Sequence, residues 1–186
     1  MNWVTSRLIH FDRVASCWLI SRFIDPDARF LFIEPGSEFP AETKSFGMVG
    51  AEIGRHDAEG TTFTKLIRHY KLTDAALHEL ERIVAAGVAH VMQGTSPGAE
   101  DRPGWIAVGL LAIAEGMLAI EDSDDDILRY SLPVWDAVYV EAGLHVLRKS
   151  PPWTSGDSDA LQSTKFVGAV ARSRHAVVRA RRHQPS

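Results

Sequence analysis

Three polar groupings in this 186-residue chain have the residue types and spacing for chemistry. The first is Glu52-x-x-x-His56, within Gly50-Ala51-Glu52-Ile53-Gly54-Arg55-His56-Asp57. A four-residue spacing puts both side chains on one side of a helix and also of a strand, so the pair converges in either. Carboxylate plus imidazole suits a divalent metal such as zinc, manganese or iron, or a general acid/base pair. The second grouping is His10-x-Asp12-Arg13, where a strand gives way to a helix. Residues two apart on a strand share a face, so His10 and Asp12 meet one ligand; otherwise Asp12 caps the helix and His10 lies on the surface. The third is Asp136, a carboxylate set among Val134, Trp135, Val138 and Tyr139. It either completes a site with His10, Glu52 and His56, or it pairs with an arginine or caps a neighbouring helix. Glu115 is a similar candidate for burial, whereas Glu141 and His145 are expected to be an exposed pair.

Arg13 and Arg22 on the first helix, and Arg55 beside the Glu/His pair, offer planar donors that suit a tetrahedral oxyanion. Cys17 is the lone cysteine, so neither an intramolecular disulfide nor a multi-cysteine zinc site forms. It is either a redox thiol or, given its place on an apolar helix side next to Trp18, a small packing residue. Glycine-rich phosphate loops and nucleophile elbows are absent. Asp122, Asp124 and Asp126 imitate the start of a calcium loop, but Ile127 stands where glycine is needed, and the run reads as a solvated helix start.

The elements that must position these residues follow from pattern and punctuation. Residues 3–9 and 29–33 are expected strands, and residues 12–23 a helix ended by Asp25-Pro26-Asp27. Residues 34–60 hold five glycines and are expected to form one long irregular stretch. Helices are expected over residues 62–70 and 73–86, the second capped by Thr73 and Gly87. Residues 105–120 are apolar nearly all round, which predicts a central buried helix, with Gly109 and Gly116 admitting a close neighbour. A last body helix starts at Ser123 or Asp124 and breaks near Pro133. The fold class is α+β, predominantly helical with a small early β-sheet.

Charge divides the chain in two. Residues 1–150 carry −8 and residues 151–186 carry +4, with Pro151-Pro152 at the junction. The acidic body is not expected to bind DNA through bulk charge, while the basic tail suits an acidic partner. The tail's apolar residues Leu161, Phe166, Val167, Val170 and Val177 predict a basic amphipathic helix over residues 159–182. No secretory pattern opens the chain, and the apolar run from 105 is short for a membrane span, so the expectation is a cytoplasmic protein without a membrane segment.

Ser6-Arg7 and the run His10-Phe11-Asp12-Arg13-Val14-Ala15-Ser16-Cys17-Trp18-Leu19-Ile20-Ser21-Arg22 resemble the opening motif of the ChrB-type chromate-resistance domain. Gly50-Ala51-Glu52-Ile53-Gly54-Arg55-His56 with Thr62-Phe63 is similar to that family's second motif, and Val134-Trp135-Asp136-Ala137-Val138-Tyr139 to a later segment. The resemblance covers roughly residues 4–147 and implies a role near chromate resistance. Longer members with an extra N-terminal domain act as chromate-responsive regulators. Ser16-Cys17 replaces the family's usual Cys-Pro, and Thr61 replaces a second cysteine, so a two-cysteine mechanism does not carry over.

These observations lead to one site and three uses for it. The domain binds a metal ion or small oxyanion through His10, Glu52, His56 and Asp136 with Arg13, Arg22 and Arg55, in metal or oxidative stress. Alternatively, the same residues serve a metal-dependent enzyme acting on a small molecule. In the third use the chain is a non-catalytic interaction module.

Overall fold

β1 (Asn2–Ser6) buries Trp3 and Val4 and takes an interior place in a four-stranded sheet of order β2-β1-β3-β4. The computed structural model describes residues 1–149; the expected boundary at 151 and the tail helix lie outside them. β2 (Arg29–Ile33) runs parallel to β1, from Asn2 opposite Arg29 to Ser6 opposite Ile33. β3 (Thr43–Met48) lies on the other side of β1, also parallel, and the two-residue β4 (Ile53–Gly54) extends the sheet in the same sense. Parallel neighbours need a crossover, supplied between β1 and β2 by α1 (Phe11–Leu19) and a π-helical turn at Ile20–Ile24. All four strands therefore end at one edge.

Two expectations about this region change. β1 stops at Ser6 rather than residue 9, because Leu8 adopts a left-handed backbone (φ 57°) that no strand accommodates. The stretch expected to be irregular contains β3 and β4. Phe46 and Ile53 are the large apolar side chains that these strands bury, so no alternation announced them.

Helices form the rest: α2 (Thr62–His69), α3 (Ala75–Gln93), α4 (Arg102–Ile120) and α5 (Asp124–Lys149). Trp3, Trp18, Phe46 and Phe63 from the sheet side meet Leu77, Leu80 and Ile83 of α3 in one buried core. The architecture is α+β, with helices in the majority. α3 is capped by Asp74 rather than Thr73, its carboxylate accepting from the amides of Ala76 and Leu77. Gly87 lies inside α3 instead of ending it. A Cβ there would stand 2.3 Å from the Phe11 ring, so glycine is required for packing, and Gly94 (φ 66°) closes the helix. Ser123 does cap α5, its hydroxyl accepting from the Asp126 amide. Pro133 does not break α5: the proline and Arg129, whose carbonyl loses its helical partner, are both on the exposed side of the helix.

α4 departs most from expectation. Gly104, Ala107, Leu110 and Leu111 are buried, but Trp105, Ile113 and Ile120 on the other face are exposed, and so is Glu115. By length and composition alone this helix would suffice to cross a membrane; here one side packs on α3.

Candidate functional site

The carboxyl edge of the sheet opens into a cleft of about 560 Å³. β1 lies between β2 and β3, so the chain leaves it in one direction and returns on the other side. In open parallel sheets such a reversal leaves a crevice beyond the strand ends, and ligands bind there. Ser6 ends β1 in this cleft, Gly47 to Val49 end β3, Arg55 and His56 follow β4, and His10 to Arg13 begin α1. Val88, Val91 and Met92 of α3 with Leu111 of α4 form an apolar wall opposite.

The loop between β1 and α1 is held from both sides. The Arg13 guanidinium donates to the carbonyls of Ser6 (2.9 Å), Arg7 (3.3 Å) and Leu8 (2.9 Å). The amides of Leu8 and Ile9 donate to the Asp124 carboxylate at 3.0 and 2.6 Å. This clamp keeps Leu8 in its left-handed conformation and aims the amino end of α1 at the cleft. Gly47 (φ 68°) permits the approach, since a Cβ there would lie 3.2 Å from Arg13 Cγ.

His10 occupies the N-cap of α1 without a side-chain cap bond. Its ring is half-buried, and burial lowers its pKa; the Glu115 charge is the next largest effect and opposes the shift, while the Arg13 charge adds a smaller lowering. Asp12 is deep in the wall and caps a different helix from its own: its oxygens accept from the Thr62 (3.1 Å) and Phe63 (3.2 Å) amides that start α2. Burial raises the Asp12 pKa, and these amides together with nearby His56 oppose the rise. Arg55 is exposed at the rim; its carbonyl accepts from Lys65 Nζ (2.8 Å), and its guanidinium has no partner among the described residues.

The expected constellation is thus brought together only in part. His10, Arg13, Arg55 and His56 share the cleft. Glu52 does not: it is exposed, its amide donates to Ser45 Oγ at 2.9 Å, and its charge acts on Lys44. The spacing argument fails because β4 has two residues and the chain turns after Gly54, so neither helical nor strand periodicity links 52 to 56. Asp136 is also elsewhere. It lies buried on α5, accepting from Trp18 Nε1 (2.8 Å), Arg22 Nε (2.9 Å) and Arg22 Nη2 (3.3 Å). Arg22 therefore holds this carboxylate and is no oxyanion donor. Cys17 is wholly buried, and desolvation pushes its thiol well above the usual range, which is the packing role and not a redox one.

Both Asp12 oxygens are engaged by amides, and no three His, Cys, Asp or Glu side chains gather as a metal site among the described residues. Glu141 and His145 are not an isolated pair either. Buried Glu79 accepts from Arg82 (3.0 Å) and Arg102 (2.9 Å) and lies 3.4 Å from His145, while Arg102 also bonds Glu141. Sequence reasoning missed the apolar wall; the adjacent Val91 and Met92 just before Gly94 were its visible sign.

Fold and cleft define an α+β domain with a mixed polar and apolar crevice at the carboxyl edge of a parallel sheet. The chain belongs to the ChrB C-terminal domain family, whose model matches residues 3–142. It is 32% identical over 140 residues to Protein ChrB of Cupriavidus metallidurans, a match covering 74% of this chain and 40% of that protein. The chain therefore corresponds to less than half the length of that relative. No solved structure matches it.

Proposed function

We propose that this chain is the ligand-binding domain of a chromate-resistance system and that its cleft binds the oxyanion group of a small molecule. The observation that carries the reading is the convergence of His10, Arg55 and His56 on one crevice at the amino end of α1. Helix amino ends favour anions through unpaired N–H groups and the helix dipole, and an exposed arginine supplies a bidentate donor. Arg13 adds charge while its hydrogen bonds fix the loop. The crevice is larger than a bare tetrahedral oxyanion needs, and the apolar wall suits the body of a larger oxyanion-bearing molecule. Membership of the ChrB family supports the link to chromate resistance.

Calorimetric titration with chromate, and with sulfate as a non-oxidising analogue, tests this reading. Both anions should bind with one stoichiometry, and Arg55→Ala should weaken each by roughly tenfold, the loss of one charge-assisted pair. Affinity should rise as pH falls below 6.5, because a bound anion favours protonated His10 and reverses the lowering that burial imposes on it. His10→Ala should reduce that pH dependence. Absence of saturable binding by both anions, or binding indifferent to Arg55 and His10, defeats the proposal.

A further inference from the structure

Four of the large apolar side chains that the molecule leaves exposed stand around one opening, the mouth of the cleft. Phe39 comes from the connection between β2 and β3, Val49 from the connection between β3 and β4, and Val91 and Met92 from the last turn of α3. They are 39%, 75%, 56% and 61% exposed. Single exposed apolar residues are ordinary, but four from three separate segments around one concave opening mark a binding surface.

The wall behind them is graded along one helix face. Val84, Val88, Val91 and Met92 fall at positions i, i+4, i+7 and i+8, a single side of α3. Val84 is wholly buried, Val88 is half-buried and the last two are open to solvent. An apolar group laid along this face removes hydrocarbon surface from water all the way from the interior to the mouth. The polar groups gather on the sheet side instead, where His10, Arg55 and His56 have no hydrogen-bond partners among the described residues. The cleft therefore has one charged side and one apolar side. Its volume of about 560 Å³ lies within the range of about 300–1,000 Å³ that holds organic ligands, and an inorganic oxyanion alone would leave the α3 wall wet.

Resting on the oxyanion reading of those polar groups, we infer that the ligand is a soluble amphiphilic organic anion, and that Phe39, Val49, Val91 and Met92 select it over an inorganic oxyanion. Its head takes hydrogen bonds from His10, Arg55 and His56. Its alkyl or aryl body lies on the α3 face from Val88 to Met92, with Phe39 and Val49 at the mouth.

Calorimetry of the full chain with inorganic phosphate, butyl phosphate and hexyl phosphate tests the inference, with sulfate and chromate titrated alongside. Hexyl phosphate should bind at least about tenfold tighter than inorganic phosphate, since each methylene contributes up to about fourfold when fully buried and the mouth is open on one side. Butyl phosphate should fall between them. Val91→Ser with Met92→Ser should bring hexyl phosphate to within about threefold of inorganic phosphate and leave the inorganic anions unchanged. Ile113→Ser with Ile120→Ser, which alters exposed apolar residues of α4 away from the cleft mouth, should leave the whole series as it is. Equal affinities across the series while sulfate still saturates overturn this inference and leave the oxyanion reading standing. No saturable binding by any of the anions overturns both. Hexanol binding as tightly as hexyl phosphate, or loss of the chain-length dependence in the α4 variant, shows that the alkyl chain adheres without the site and overturns the inference. Co-sedimentation with phosphatidic acid vesicles that Val91→Ser with Met92→Ser abolishes assigns the mouth to a membrane lipid and overturns the soluble ligand.

Discussion

The cleft and the helical side of the molecule use similar residues in opposite ways. Around Asp136 and Glu79, carboxylates are buried and surrounded by donors: Trp18 and Arg22 hold one, Arg82 and Arg102 the other. At the cleft, the Arg55 guanidinium and the His10 and His56 rings have no hydrogen-bond partners among the described residues. A buried charge left unpaired is costly, so both interior carboxylates are held by several donors and fix helices against one another, with Arg22 Nη1 the one guanidinium nitrogen of that pair left without a hydrogen bond among the described residues. A partly wetted charge tolerates a missing partner, and only such a group is free to receive a ligand. Residue type did not distinguish the two settings; the state of pairing does.

The sharpest way to break this contrast is to unpair the interior. Asp136→Ala should destabilise the chain by about 3–5 kcal/mol, because it leaves Arg22 buried without its carboxylate. Denaturant unfolding measures this, and a loss below about 1 kcal/mol would remove Asp136 from the structural class.

Asp12 sits on the boundary, lining the cleft yet fully engaged by α2. Asp12→Ala should cost about 1–2 kcal/mol as a lost helix cap. Asp12→Asn tests its titration. Burial raises the folded pKa above the unfolded value, so the native state binds more protons, and this group's contribution declines as pH rises from about 3.8 through the raised value. The asparagine variant should lack that component of the stability profile between pH 3 and 7.

The smallest effect on stability is expected at the cleft rim. Arg55→Ala should change unfolding free energy by less than about 0.5 kcal/mol while weakening anion binding. A large stability loss would place Arg55 with the interior pairs instead.

Part of this arrangement was legible in the sequence. Arg29 to Ile33 reads as a strand from composition and Ser123 or Asp124 as a helix start from position, and the polar residues His10, Arg55 and His56, singled out for their chemistry, line one cleft. What escaped depends on contacts between distant segments. Asp12 caps a helix fifty residues further on, which no local pattern encodes. Glu52 kept its spacing to His56 but lost its meaning, since periodicity holds only within a continuous element. α4 was misread because an apolar sequence reports the preference of side chains and not whether the described fold has anything to cover them.

Asp124 reaches back 115 positions to secure the amide of Ile9 at the mouth of the cleft. A chain emerging from the ribosome can therefore build its sheet and first helices early, yet the rim of the crevice stays unfinished until α5 has been synthesised and docked. A nascent chain lacking α5 has the cleft's wall but an open loop. Under the proposed function, ligand capture by a growing chain would be withheld until nearly the whole domain exists and would mark the moment at which its folding is complete.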